Sequence, residues 1–206
     1  MTHPNLTKLN NATRLTTMVL GITLAASGLH HGFYEILQGN TATNSLIIQS
    51  ISPEYQQWDN GEEAFTLIPN FLATGIVAVC ISLFIIFWSI RFLHRRSGPI
   101  VFLLLFILLT LTGGGIGHIV FFVPVWAYST RMHKSLSGWQ RMTSAGFRGM
   151  LSKIWKISLI LTSAFLIIAL EISVFGIPGV KNDETILTVC WSFLLASFLL
   201  LHLTYL

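Results

Sequence analysis

The sequence predicts an all-α integral membrane protein, a bundle of four to five transmembrane helices that forms one membrane domain over residues 1–206. Hydrophobic residues make up 53% of the 206 residues and charged residues only 10%, and the mean hydropathy is +0.71. Five apolar stretches approach or exceed the ~20 residues that a helix needs to cross a bilayer. A membrane barrel would show short alternating strands, and no such alternation is visible.

The first apolar stretch is residues 15–37, and Lys8 and Arg14 precede it as in a signal peptide. Its apolar run continues past the small residues that would mark a cleavage site, so we expect a retained signal-anchor helix with residues 1–14 in the cytoplasm. Small residues and one acid recur on one helix face at steps of three and four, which predicts close packing against another helix. The residues of this face are Gly21, Ala25, Gly28, Gly32 and Glu35.

The second stretch, residues 65–90, follows an acidic loop over residues 38–64 that we expect outside the membrane. The third stretch, residues 100–128, allows two forms. It can be one tilted helix with a GxxxG packing face, or a broken or re-entrant segment that turns at its glycines. The glycines of this predicted hinge are Gly113, Gly114, Gly115 and Gly117.

Charge placement favours the re-entrant form. Lys and Arg concentrate on the cytoplasmic side of membrane proteins. Five full crossings divide these residues equally between the two sides, whereas a re-entrant third segment leaves only Lys181 outside. The favoured arrangement therefore has four full crossings, at 15–37, 65–90, 157–177 and 186–206, and both termini in the cytoplasm.

Residues 129–156 form a basic loop in which apolar residues recur at helical spacing between the positive charges. This pattern is typical of amphipathic helices that lie on an anionic lipid surface. We therefore predict that residues 131–156, from Arg131 to Lys156, contact anionic lipids on the cytoplasmic side.

Ionisable side chains inside apolar segments are candidate functional residues because hydrocarbon penalises them. His30, His31 and Glu35 lie in the first stretch, and His31 and Glu35 share a face because they are four residues apart. In the favoured topology His118 and Glu171 reach the same outer half of the bilayer. We therefore predict a site formed by His31, Glu35, His118 and Glu171, supported by His30 and Asn70.

Several chemistries fit this site. Imidazole and carboxylate groups form proton relays, and they also bind transition metals, so His30, His31, His118, Glu35 and Glu171 are candidate metal ligands. Haem held by two of His30, His31, His118 and His202 is a further candidate cofactor. A catalytic dyad of Ser27 with a histidine, which would perform nucleophilic hydrolysis, is a weaker candidate. The same polar residues can also serve only to fix helix packing.

The preferred functional prediction is proton- or metal-ion-linked binding or transport. The alternatives are a non-catalytic scaffold or accessory subunit and a metal- or haem-dependent membrane enzyme. Cys80 and Cys190 form no CxxC pair, and no nucleic-acid motif is present. Few cysteines and a signal-anchor start indicate a prokaryotic inner membrane, and the small number of segments makes a homodimer a candidate assembly.

Overall fold

The structure, a computed structural model, describes residues 10–54, 62–134 and 143–205. These ranges hold six helices and one two-stranded antiparallel sheet. The elements are α1 (Asn11–Leu37), β1 (Ile47–Ile51), β2 (Glu62–Phe65), α2 (Phe71–Arg91), α3 (Gly98–Thr110), α4 (Ile119–Ser129), α5 (Ala145–Phe175) and α6 (Asp183–Tyr205). Four of the helices, α1, α2, α5 and α6, are long and apolar enough to cross a membrane.

The small-residue face of α1 is buried against α2, as the spacing predicted. The two helices run antiparallel, since Gly32 near the end of α1 meets Gly75 near the start of α2. At the other end of the pair, Gly21 meets Ser89. A Cβ on Gly32 would lie 2.8 Å from the Gly75 carbonyl oxygen, so the backbones touch there and only glycine fits.

The third apolar stretch is broken into α3 and α4, which form a helical hairpin. α3 begins beside the end of α2, where the Trp88 indole N–H donates to the Gly98 carbonyl at 3.1 Å. α4 runs back and is followed by Met132, whose carbonyl accepts from the Asn10 backbone N–H at 3.0 Å. Both ends of the hairpin therefore lie where α1 begins, and the alternative of one tilted helix is wrong.

The turn between α3 and α4 is irregular backbone, and polar groups at its start are paired within the protein. The Gly113 N–H donates to the Phe65 carbonyl at 2.9 Å, and Thr66 forms an antiparallel bridge with Thr112. The Thr74 hydroxyl, from α2, donates to the Thr112 carbonyl at 2.9 Å. Such pairing is what irregular backbone would need inside a bilayer.

The sheet is the exception to the predicted all-α class. β1 and β2 pair in the loop 38–64, with Ile47 opposite Phe65. Phe65 therefore belongs to β2, and the helix of the predicted second crossing begins at Phe71 instead of residue 65. The local sequence does not predict this sheet, because β1 has only five residues and pairs with a strand on the far side of the intervening loop.

α5 begins at Ala145, inside the predicted loop 129–156, and continues through most of the predicted fourth crossing, residues 157–177. Ser144 starts it, because its hydroxyl accepts the Phe147 N–H at 3.2 Å. α6 packs antiparallel on α5, where the Ser197 hydroxyl donates to the Thr162 carbonyl at 2.9 Å. Residues 135–142, a third of the predicted amphipathic region, lie outside the described residues.

Charge divides the bundle into two halves. We call the end where α1 begins the basic end and the end where α1 finishes the acidic end. Among the described residues, every Lys and Arg except Lys181 lies in the basic half, and every Asp and Glu lies in the acidic half. Lys8, Asp59 and Arg141 lie outside the described residues. The distribution matches the one from which a re-entrant third segment was predicted.

Candidate functional site: a histidine and glutamate cavity in the acidic half

The last third of α1 supplies three of the predicted site residues. His31 and Glu35 lie one helical turn apart on the buried face and expose only 4% and 0% of their surface. His30 lies about 100° around the helix from His31. Its ring makes an edge contact with the Tyr34 ring at a centroid distance of 4.9 Å. The two adjacent histidines therefore occupy different surroundings.

Glu35 lies in a niche made by β1 and the turn between α3 and α4. The Ser50 hydroxyl donates to Glu35 Oε1 at 2.8 Å. Gly113, at φ +94°, places its Cα against the carboxyl group so closely that a Cβ there would collide with both oxygens. The Glu35 side chain thus joins α1, the sheet and the turn.

The same turn packs against His31. Gly115 has φ +88°, and a Cβ on it would lie 2.5 Å from His31 Nε2. Gly113 and Gly115 are therefore required both by their backbone conformation and by the side chains of α1. Gly117 has open space around it. That the glycines act as a hinge stays a prediction.

His118 immediately precedes α4 and is 6% exposed. Its Nε2 atom lies 3.1 Å from the Thr110 hydroxyl oxygen at the end of α3. The Phe106 and Phe122 rings flank the imidazole, with centroid distances of 5.9 and 5.8 Å. The hairpin therefore holds the ring in place through Thr110, a residue that the sequence did not single out because a threonine in an apolar helix is ordinary.

A cavity of about 500 Å³ lies between α1, α4, α5 and α6 in the acidic half. Four of the predicted site residues line it, namely His30, His31, His118 and Glu171. Glu35, in its niche, is not part of the wall. Other residues of the wall are Thr23, Ser27, Glu63, Phe121, Cys190 and Trp191.

The cavity forms because the membrane-length helices pack in two separate pairs. α1 packs mostly on α2, and α5 mostly on α6, so a gap remains where α5 and α6 approach α1 and α4. Its polar wall faces the acidic end, where Glu63 of β2 and Glu171 of α5 lie. Sequence reasoning placed Glu63 only in an acidic loop, since nothing local shows that β2 brings it to a helix bundle.

Asn70 has a structural task outside the cavity. It is the N-cap of α2, where its Oδ1 accepts the Ala73 N–H at 3.0 Å, and its Nδ2 donates to Asn40 Oδ1 at 2.8 Å.

We expect Asn70→Ala to lower the free energy of unfolding by about 1 kcal/mol, the usual value of such a cap. Thermal unfolding in detergent measures this. The cavity should be unaffected, so an Asn70→Ala protein with altered cavity chemistry would contradict the assignment.

The candidate cofactors gain no geometric support. Within residues 10–54, 62–134 and 143–205, no three His, Cys, Asp or Glu side chains converge on a point that could hold a metal ion. His202 lies at the basic end, where its ring contacts Tyr128 at 5.9 Å, far along the bundle from the cavity histidines.

Similarity to known proteins gives no information about this site. Comparison with protein-family models, with curated proteins and with solved structures finds no match.

Proposed function

We propose that the chain is a multi-pass membrane protein that binds a small ligand in the acidic-half cavity, with binding linked to protonation of the cavity's side chains, as in a proton-linked carrier. The single observation that supports this function best is that His30, His31, His118 and Glu171, from three separate parts of the chain, all line one cavity. If these side chains served only helix packing, nothing would require all four of them to line the same cavity.

Proton linkage follows from the chemistry of the wall. Histidine and carboxylate side chains exchange protons in the physiological range, and membrane proteins use them in proton relays. A charge that appears or disappears on the wall changes the affinity of the cavity for a charged ligand. The titratable groups on or beside the cavity are His30, His31, Tyr34, Glu63, His118, Glu171 and Cys190.

The proposed orientation puts the basic end in the cytoplasm, next to anionic lipids, and the acidic end outside. This rests on the separation of Lys and Arg from Asp and Glu along the bundle. In this orientation α3 and α4 form a re-entrant hairpin from the cytoplasmic side, and the cavity lies in the outer half of the bilayer.

A packing role is the second candidate, and specific observations favour it for part of the constellation. The Glu35 carboxylate accepts a hydrogen bond from Ser50 and packs against Gly113, and Asn70 caps α2. Under this function the histidines and Glu171 would also only join helices, and the cavity would have no access to water.

Thiol reactivity separates the two candidates. In a Cys80→Ala, Cys190→Ala background, Ser27→Cys places a reporter in the cavity wall. We expect it to react faster with a cationic methanethiosulfonate carrying a trimethylammonium group than with the anionic sulfonate analogue, by at least about tenfold relative to a free thiol. This preference should fall between about pH 8 and about pH 5, because a histidine side chain gains positive charge when it is protonated in this range.

Two controls sharpen the result. Ser192→Cys lies on the exposed surface of α6 close in sequence to wall residues but outside the wall, so it should stay unreactive in a lipid bilayer. Glu171→Gln should reduce the cation preference, whereas Glu184→Gln, at the start of α6, should not. A Ser27→Cys protein as unreactive as Ser192→Cys would support the packing role. A preference independent of pH would remove the proton linkage.

A further inference from the structure

The charge of the wall indicates what the cavity binds. Glu63 and Glu171 line it, and none of the described residues of the wall is Lys or Arg. In the described ranges, Lys181 is the one Lys or Arg in the acidic half, and it is not part of the wall. The potential in the cavity is therefore negative, which attracts cations and repels anions.

Aromatic rings add to this preference. Trp191 of α6 and Phe121 of α4 form parts of the wall. The faces of such rings attract positively charged groups, most strongly where water is excluded. Carboxylates and aromatic faces around one void are complementary to an organic cation.

The deeper part of the cavity suits an apolar body. Along α1 the wall extends from His31 to Thr23, which corresponds to about 12 Å along the helix axis. Towards Thr23 the other helices contribute apolar side chains such as Leu166 and Leu194. A volume of about 500 Å³ is in the range of sites for drug-sized molecules.

The wall also reaches the outer surface of the bundle. Ile167, Leu187 and Trp191 line the cavity and yet expose 48%, 46% and 63% of their surface. In a bilayer these side chains would meet lipid. A molecule dissolved in the outer leaflet would therefore reach the cavity from the side, beside α5 and α6.

From these features we propose that the occupant of the cavity is a lipophilic cation, an organic molecule with an apolar body and a positively charged group, which enters from the bilayer and places its charge near Glu171 and Glu63. This inference rests on the proposed ligand-binding function and specifies its substrate class.

Two ions of matched shape and opposite charge test it, tetraphenylphosphonium and tetraphenylborate. Equilibrium dialysis against the purified protein in an uncharged detergent should give a dissociation constant for the cation at least about tenfold below that for the anion. Glu171→Gln should weaken cation binding by about tenfold, and Glu63→Gln should also weaken it, because both carboxylates line the cavity. Glu184→Gln serves as the matched control and should leave binding unchanged.

Partitioning into detergent is subtracted with a Ser27→Trp variant, whose indole would fill the cavity. Equal or tighter binding of tetraphenylborate, or binding of neither ion, would overturn the proposed ligand class. The two proposals fail separately. If Ser27→Cys reacts with the thiol reagents but tetraphenylphosphonium neither binds nor protects it, the cavity function stands and the lipophilic cation does not.

Discussion

Gly113→Ala is expected to destabilise the protein by at least about 3 kcal/mol, or to prevent it from folding. An alanine at φ +94° costs about 1–3 kcal/mol in backbone strain. In addition, its Cβ would collide with the Glu35 carboxyl group and separate it from Ser50, which leaves a buried polar group without its partner. Thermal unfolding in detergent, with the yield of folded protein, measures the loss.

The same turn supplies the control for this prediction. Gly117 has negative φ and open space around it, so Gly117→Ala should change stability by no more than about 0.5 kcal/mol. Gly115→Ala should resemble Gly113→Ala, because its Cβ would meet His31. Equal stability of the Gly113→Ala and Gly117→Ala proteins would show that the turn does not depend on its contact with Glu35.

Gly75→Ala is expected to have the second largest effect, a loss of about 2–3 kcal/mol from overpacking at the contact of α1 with α2. A Cβ there would lie 2.6 Å from the Gly32 carbonyl oxygen and 2.8 Å from the Ile36 nitrogen. These are backbone atoms, so the helices must move apart. Unfolding by heat or denaturant in mixed micelles gives the difference in stability.

The expected sign of this effect is opposite to the usual effect of replacing a helical glycine with alanine. Alanine normally stabilises a helix by about 1 kcal/mol relative to glycine. Gly149, in α5, has nothing within 4 Å of an added Cβ, so Gly149→Ala should stabilise the protein slightly. If Gly75→Ala were also stabilising, the close approach of α1 and α2 would be wrong.

The sequence was sufficient for features that follow from local spacing and charge. The small-residue steps from Gly21 to Gly32 predicted the buried face of α1, because helical periodicity alone decides which residues share a face. The break at Gly113 followed from the positions of Lys and Arg, because charge distribution constrains which segments can cross.

Features that depend on pairing between distant segments could not be predicted. Ser50 reaches Glu35 only because β1 packs on α1, and Glu63 reaches the cavity only because β2 pairs with β1. Asn70 shows the converse. The sequence placed it with the site residues, but an amide at the start of a helix also satisfies free backbone N–H groups, and the residue type alone does not distinguish these two roles.

The most direct test of the proposed cavity is the side from which Ser27→Cys reacts in vesicles of one known orientation, established by protease digestion of an N-terminal tag. We predict rapid reaction with the membrane-impermeant cationic reagent added at the acidic end, and none when it is present only at the basic end. Reaction from the basic end, or from neither, would contradict a ligand cavity in the acidic half.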